Sequence, residues 1–287
     1  MKETILEGMD RPRRRGSQGH RRGQFRPPSH LFEVPDRYRA KVPRMGAASR
    51  GSGSSVGGSR VTRISSEELL GALNEIERKF APERLFVAGR IEFPLPHPRV
   101  AIIGTRTPSA EGLRIASRLS KTLAQKEVII VSGLARGIDT AAHTAAIEAG
   151  GRTIAVLGTP LSQTYPRENA DLQSLIMKSH LAVSQFDEGR PVRPQNFVVR
   201  NRTMALIADA SVIVESGEGG GSLHQGWEAL RLGRPLFIHT REFNKPGLEW
   251  PREMAKYGAV EFKEPSDILD FIPSAELNLA VAAFNSA

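Results

Sequence analysis

Four stretches of this 287-residue chain carry glycine, arginine or hydroxyl side chains in combinations that suit phosphate binding. In Gly104-Thr105-Arg106-Thr107-Pro108-Ser109, Gly104 permits a tight turn and Ser109 or Thr107 can cap a following helix. Arg106 sets a forked, permanent cation beside that helix's free N–H groups. The competing reading is an ordinary turn with a solvated arginine, and the dinucleotide fingerprint G-x-G-x-x-G is missing. In Ser132-Gly133-Leu134-Ala135-Arg136-Gly137, two glycines flank a second arginine. Asp139 and His143 follow four residues apart, the spacing at which side chains meet on a helix. They read as an acid/base pair or, more ordinarily, as a hydrogen bond that fixes the helix start. In the third stretch, Phe197 can stack on a base while Arg200 and Arg202, on either side of Asn201, pair with phosphate. A core phenylalanine and a solvated helix start are the alternatives. The fourth, Glu215-Ser216-Gly217-Glu218-Gly219-Gly220-Gly221-Ser222, allows close backbone approach to a ligand, with Ser222 a cap for a helix beginning at Leu223. Glu215, at a strand end, is a candidate for holding a ribose or for catalysis.

These stretches need a frame that aligns them. Short apolar runs occur at 100–104, 128–132, 153–157, 181–184, 211–214 and 235–238, rich in Val and Ile and separated by helix-like stretches of about a dozen residues or more. Buried parallel strands with crossover helices have this pattern, so the expected fold is α/β: a doubly wound, mostly parallel, Rossmann-like sheet. In such sheets ligands bind at the carboxyl ends of the strands, which is where all four stretches fall. Residues 66–80 carry helical spacing at Leu69, Leu70, Leu73, Ile76 and Phe80, with Ser65 or Ser66 as cap, and predict one outer helix. A short closing helix is expected at 265–272 and a loose tail at 273–287.

Composition narrows the function classes. The net charge is +9, but residues 1–63 alone hold 15 Lys and Arg against 5 Asp and Glu, so the remainder is close to neutral at −1. That first segment, rich in Arg, Gly, Ser and Pro, predicts a disordered basic tail that attracts polyanions without sequence specificity. The folded part, 64–272, must therefore bind nucleic acid through a local patch. Cysteine is absent, which excludes disulfides and thiolate metal sites and fits a reducing cytoplasm. No apolar run is long enough for a transmembrane helix.

The segments VSGLARGIDTAAH (131–143), GGRTIAVLGTPLSQTYPRENADL (150–172), NFVVRNRTMALIADASVIVES (196–216) and GSLHQGWEALRLGRPLFI (221–238) resemble, in that order, the DprA/Smf family of DNA-processing proteins. Residues 82–112 are similar to that family's entry into its Rossmann-like domain. The resemblance implies a single-stranded DNA-binding protein of natural transformation, which passes incoming DNA to the recombinase RecA. It further implies a homodimer through the Rossmann-like domain, no cofactor, and binding without catalysis. By matching motifs, it places Gly104 and Arg106 on phosphate, and Ser132, Gly133, Arg136 and Gly137 in the second loop. Phe197, Arg200, Asn201 and Arg202 follow along the DNA path, and Gly221 and Ser222 complete the groove. The chain departs from the pattern at His239-Thr240-Arg241, where the family has a Pro-Gly turn, and in its longer glycine run. The same superfamily includes LOG-type nucleoside 5′-monophosphate phosphoribohydrolases and nucleotide-sensing domains. Glu228, seven residues after Gly221, echoes their catalytic glutamate and keeps that alternative open.

Overall fold

The computed structural model describes residues 55–56 and 59–272. Most of the expected basic tail and all of 273–287 lie outside the described residues. Within them the sheet starts ahead of the boundary drawn at 64. After a short hairpin, β1 (Ser55–Val56) with β2 (Ser59–Arg60), Thr62–Ile64 forms strand β3, with Val61 buried beside it.

The single helix expected at 66–80 is two: α1 (Ser66–Leu70) and α2 (Glu75–Phe80). Gly71 breaks the run at φ 84°, and Asn74 starts the chain again by accepting a hydrogen bond from Glu77 N at 2.9 Å. Strand β4 (Leu85–Gly89) follows. Then comes the regular alternation: β5 (Arg99–Ile103), α3 (Ala110–Ala124), β6 (Ile129–Ser132), α4 (Ile138–Glu148), β7 (Thr153–Leu157), α5 (Ala170–Ser179), β8 (Leu181–Ser184), α6 (Pro194–Ile207), β9 (Ala210–Ile213), α7 (Gly221–Arg231) and β10 (Leu236–His239). Two short helices, α8 (Thr240–Asn244) and α9 (Trp250–Ala255), lead to β11 (Val260–Phe262) and α10 (Pro265–Leu269).

The strands form one sheet in the order β11-β10-β9-β5-β6-β7-β8-β4-β3. The run from β11 to β8 is parallel, and β4 and β3 add antiparallel pairs at one edge. Alternation along each strand divides the core. Val100, Ile102, Ile130 and Val212 pack with Ala116, Leu119 and Leu123 of α3 on one face. Ala101, Ile103, Val131 and Ile213 pack with Met204 and Ile207 of α6 and Leu223 and Trp227 of α7 on the other. From β5 the chain winds outward through β6, β7 and β8, then returns to the far side of β5 as β9. The order reverses there, and the loops after β5 and β9 part to leave a crevice.

Candidate functional site

A cleft of about 690 Å³ occupies this switch point, a volume suited to a nucleotide-sized group. Its lining comes from the loops after β5 (Gly104, Thr105, Arg106), β6 (Ala135), β7 (Tyr165) and β9 (Ser216, Gly217), together with Asp139 of α4 and the first turns of α6 and α7. Neither helix start has a side-chain cap: α6 begins at Pro194 after Arg193, and α7 at Gly221 after Gly220. Two uncapped amino ends facing one cleft present N–H donors and the positive ends of two helix dipoles, an arrangement that suits an anion. Ser222 does not cap α7 as its position suggested. It lies inside the first turn, and its Oγ donates to Ser216 Oγ at 2.8 Å.

The helix end that the sequence pointed to first is closed. Ser109 caps α3, accepting from Gly112 N at 3.0 Å, and its own N–H and Oγ both donate to the Glu215 carboxylate, the hydroxyl at 2.8 Å. Glu215 is thus a buried clamp on α3 and does not line the cleft, which removes it as a ribose ligand. The starts of α6 and α7, unlike that of α3, carry no side-chain cap.

Arg106 and Phe197 lie together at the cleft. The exposed Arg106 guanidinium lies over the Phe197 ring, 5.5 Å from its centroid, and makes no ion pair among the described residues. The half-buried ring rests on Gly158, where a Cβ would stand 2.6 Å from it. Tyr165 packs against the same ring at 5.1 Å, tilted by 48°. Cation, phenylalanine and tyrosine therefore form one cluster at the cleft mouth.

Arg200 lines the same cleft but is 5% exposed, with Nη1 donating to Val156 O at 2.9 Å. It is no free phosphate ligand. It fills the space left by Gly133, where any side chain would overlap the guanidinium. Burial lowers its pKa, opposed by the nearby Asp139 charge. Asp139 accepts from Gly133 N and Ala135 N at 3.2 and 3.3 Å, so it shapes the second loop. Burial pushes its carboxyl up, against the pull of Arg200 and those amides. His143 turns to Thr153, 2.7 Å from Nδ1 to Oγ1, and burial, with the charges of His180 and Arg200, holds its pKa down at about 3. The ordinary reading of the Asp139/His143 spacing is thus the better one, though the two residues bond to different partners. Asn201 donates to Gly221 O at 3.0 Å, joining α6 to the start of α7.

Other expected residues lie elsewhere. Arg202 faces away and donates to Glu228 Oε1 at 2.9 Å. Glu228, also bound by Arg231, is a buried structural carboxylate outside the cleft lining, which leaves the phosphoribohydrolase reading without its candidate residue. Arg136 is exposed but paired with Glu168 beside a second, shallower hollow against α4. Ser132 donates to Ile102 O at 2.6 Å within the sheet. Gly137 supplies a φ of 76° at the start of α4, and Gly104 a crossing too tight for a Cβ against Ile138 and Glu215 O. Tyr165, Val192, Arg193 and Gln225 line the cleft without having been singled out. The signal available for Tyr165 was its place in the loop after the third parallel strand. Among the described residues no His/Asp/Glu cluster suits a metal ion, and no helix is long and apolar enough to cross a membrane.

Comparison with known proteins shows the family and the fold. The family model for DNA recombination-mediator protein A matches residues 61–273. DNA processing protein DprA of Streptococcus pneumoniae is 40% identical over 157 residues, 55% of each chain. The Bacillus subtilis protein of that name is 32% identical over 192 residues, 67% of this chain and 65% of its own. Protein Smf of Escherichia coli is 38% identical over 190 residues, 66% of this chain and 50% of its own. The chain thus spans about half to two-thirds of the length of these relatives. The X-ray structure of the S. pneumoniae protein superposes with a TM-score of 0.62 at 31% identity, covering 74% of both chains. DNA processing protein A of Helicobacter pylori superposes at 0.63, a likeness of fold at 23% identity that covers 73% of this chain and 94% of that one.

Proposed function

The chain belongs to the DNA recombination-mediator protein A family, and from that premise we propose that it binds single-stranded DNA in the switch-point cleft, as a binding protein of DNA processing and not as an enzyme. The observation that carries this reading is the Arg106 guanidinium held 5.5 Å from the Phe197 ring centroid in a cleft that two uncapped helix ends also line. The ring offers a base a sequence-tolerant stacking surface, while the arginine and helix ends take the phosphate. Arg200 adds buried positive charge beneath them, close enough to Arg106 to feel its charge. The H. pylori relative supports the ligand class, since its structure is described for a single-stranded DNA binding mode. Transfer of the bound strand to a RecA-type recombinase, and self-association through the α/β domain, belong to the same proposal. Strand-exchange assays and light scattering test them.

The central test is binding to single- and double-stranded oligonucleotides across a salt series. Arg106→Ala should weaken single-strand binding for all sequences and reduce the salt slope by about one unit. Phe197→Ala should cost about 1–3 kcal/mol. Arg202→Ala, its side chain engaged with Glu228, should leave affinity and slope unchanged. Retention of full affinity and slope by both the Arg106 and Phe197 variants refutes the cleft as the binding site.

A further inference from the structure

Beyond Arg106 and Phe197, the cleft has a rim made by two other loops. Tyr165 rises from the loop after β7, and Val192 and Arg193 from the segment leading into α6. Five large apolar side chains are exposed among the described residues, and Tyr165, at 46%, and Val192 are two of them. Tyr165 and Phe197 are in direct contact, with centroids 5.1 Å apart and planes 48° from parallel, so no base can slide between the rings. Tyr165, the more exposed of the two, therefore offers a surface of its own to a base other than one held at Phe197. Arg193 is exposed and forms no ion pair among the described residues. It stands at the N-cap of α6, where the positive helix end reinforces its charge.

We propose that Tyr165 and Arg193 form a second nucleotide station on the rim: a base stacks on the open face of Tyr165, and a neighbouring backbone phosphate pairs with Arg193. This rests on the single-strand reading of the cleft and deepens it. The site engages at least two nucleotides of a polymer, one at Phe197 and one on the rim, which sets a polynucleotide apart from a mononucleotide as the ligand. Val192 gives the rim base an apolar edge on which to rest.

The test compares two ligands on the full chain, at salt high enough to suppress binding by the arginine-rich segment. Thymidine 5′-monophosphate reports on the cleft alone, and a long oligothymidylate on cleft and rim together. Tyr165→Ala should weaken the oligonucleotide roughly tenfold more than it weakens the monophosphate. Tyr165→Phe should restore the loss, because stacking needs the ring and not the hydroxyl. Arg193→Ala should weaken the oligonucleotide and lower its salt slope by about one unit. An oligonucleotide carrying 5-iodouracil should crosslink to Tyr165 on irradiation. If the Tyr165 and Arg193 variants bind the oligonucleotide as the parent does, or lose both ligands equally, the rim station is overturned while the cleft stands. If Arg106→Ala and Phe197→Ala also bind both ligands normally, the fault lies with the cleft reading itself.

Discussion

Gly158 and Gly133 hold the site in place by having no side chains. A Cβ at Gly158 would stand 2.6 Å from Phe197 Cδ1. Gly158→Ala should therefore tilt the ring out of its seat and weaken single-strand binding about as much as Phe197→Ala, with the helical circular dichroism signal preserved. At Gly133 the added methyl would strike the buried Arg200 guanidinium, which must then shift and give up its bond to Val156 O. Gly133→Ala should lower unfolding stability by about 1–3 kcal/mol, the usual cost of overpacking, as measured by urea denaturation. Much of this detail can be found in the sequence after the fact. On an α-helix Asn201 and Met204 follow Phe197 at the i+4 and i+7 spacing of one face, whereas Arg202 lies roughly 140° round from Phe197. Spacing alone was enough to separate Arg202 from Phe197, but it did not show which face met the cleft.

The anion-binding potential of this protein is a property of helix ends, and the ends are not alike. The start of α3 is filled by Glu215, whereas those of α6 and α7 have no side-chain cap. Gly221 has open space around its Cβ position, so Gly221→Asp is sterically allowed. The new carboxylate would occupy the positive end of α7, holding or slightly raising thermal stability. It should also repel phosphate and weaken oligonucleotide binding, most strongly at low salt. An unchanged affinity would mean that the end of α7 does not meet the ligand. At the amino ends of the strands, away from the cleft, Asp209 ties β5 to β9: it accepts from Arg99 N at 2.8 Å and Arg99 Nη2 at 3.0 Å, and His97 Nδ1 lies 2.8 Å away. Burial would raise this carboxyl, but the His97 hydrogen bond and the charge of Arg99 more than reverse it and hold it below its usual range. Asp209→Asn leaves the buried Arg99 without its counter-charge, and a loss of about 3–5 kcal/mol is expected by chemical denaturation.

The whole molecule carries a pH dependence remote from the cleft. His143 is fully buried, and its pKa is held down at about 3 in the folded state, against an ordinary value of 6.5. The unfolded chain takes up a proton below pH 6.5 that the native state refuses. The stability His143 contributes is therefore complete above that pH, and it is lost progressively as pH falls towards 3. The slope from this one group should approach about 1.4 kcal/mol per pH unit. His143→Gln should flatten the stability profile between pH 6 and 4, and an unchanged profile would show that the imidazole titrates freely. The near-neutral balance of residues 64–287 has a related consequence at this scale: single-strand affinity in the folded part must depend on local geometry, since no overall field draws a polyanion to it.

The sequence by itself determined the doubly wound sheet, because buried parallel strands demand continuous Val and Ile runs and the crossovers demand helices between them. It also determined which loops gather at the ligand-binding edge, because chain direction alone puts every βα loop there. It missed β3, β4 and β11 and saw one helix where there are two, since the two antiparallel strands stand outside the regular strand–helix alternation, β11 is short, and a single glycine break leaves little periodic signal. Only the tertiary structure decided which polar groups are spent on the fold. Glu215, Glu228, Arg136, Arg200 and Arg202 look as suitable for ligand binding in the sequence as Arg106 does. Each is instead satisfied by a partner between 26 and 106 residues away, or, for Arg231 on Glu228, one turn along the same helix. Such pairings follow from how helices pack across the sheet, a long-range property that no local window of sequence contains.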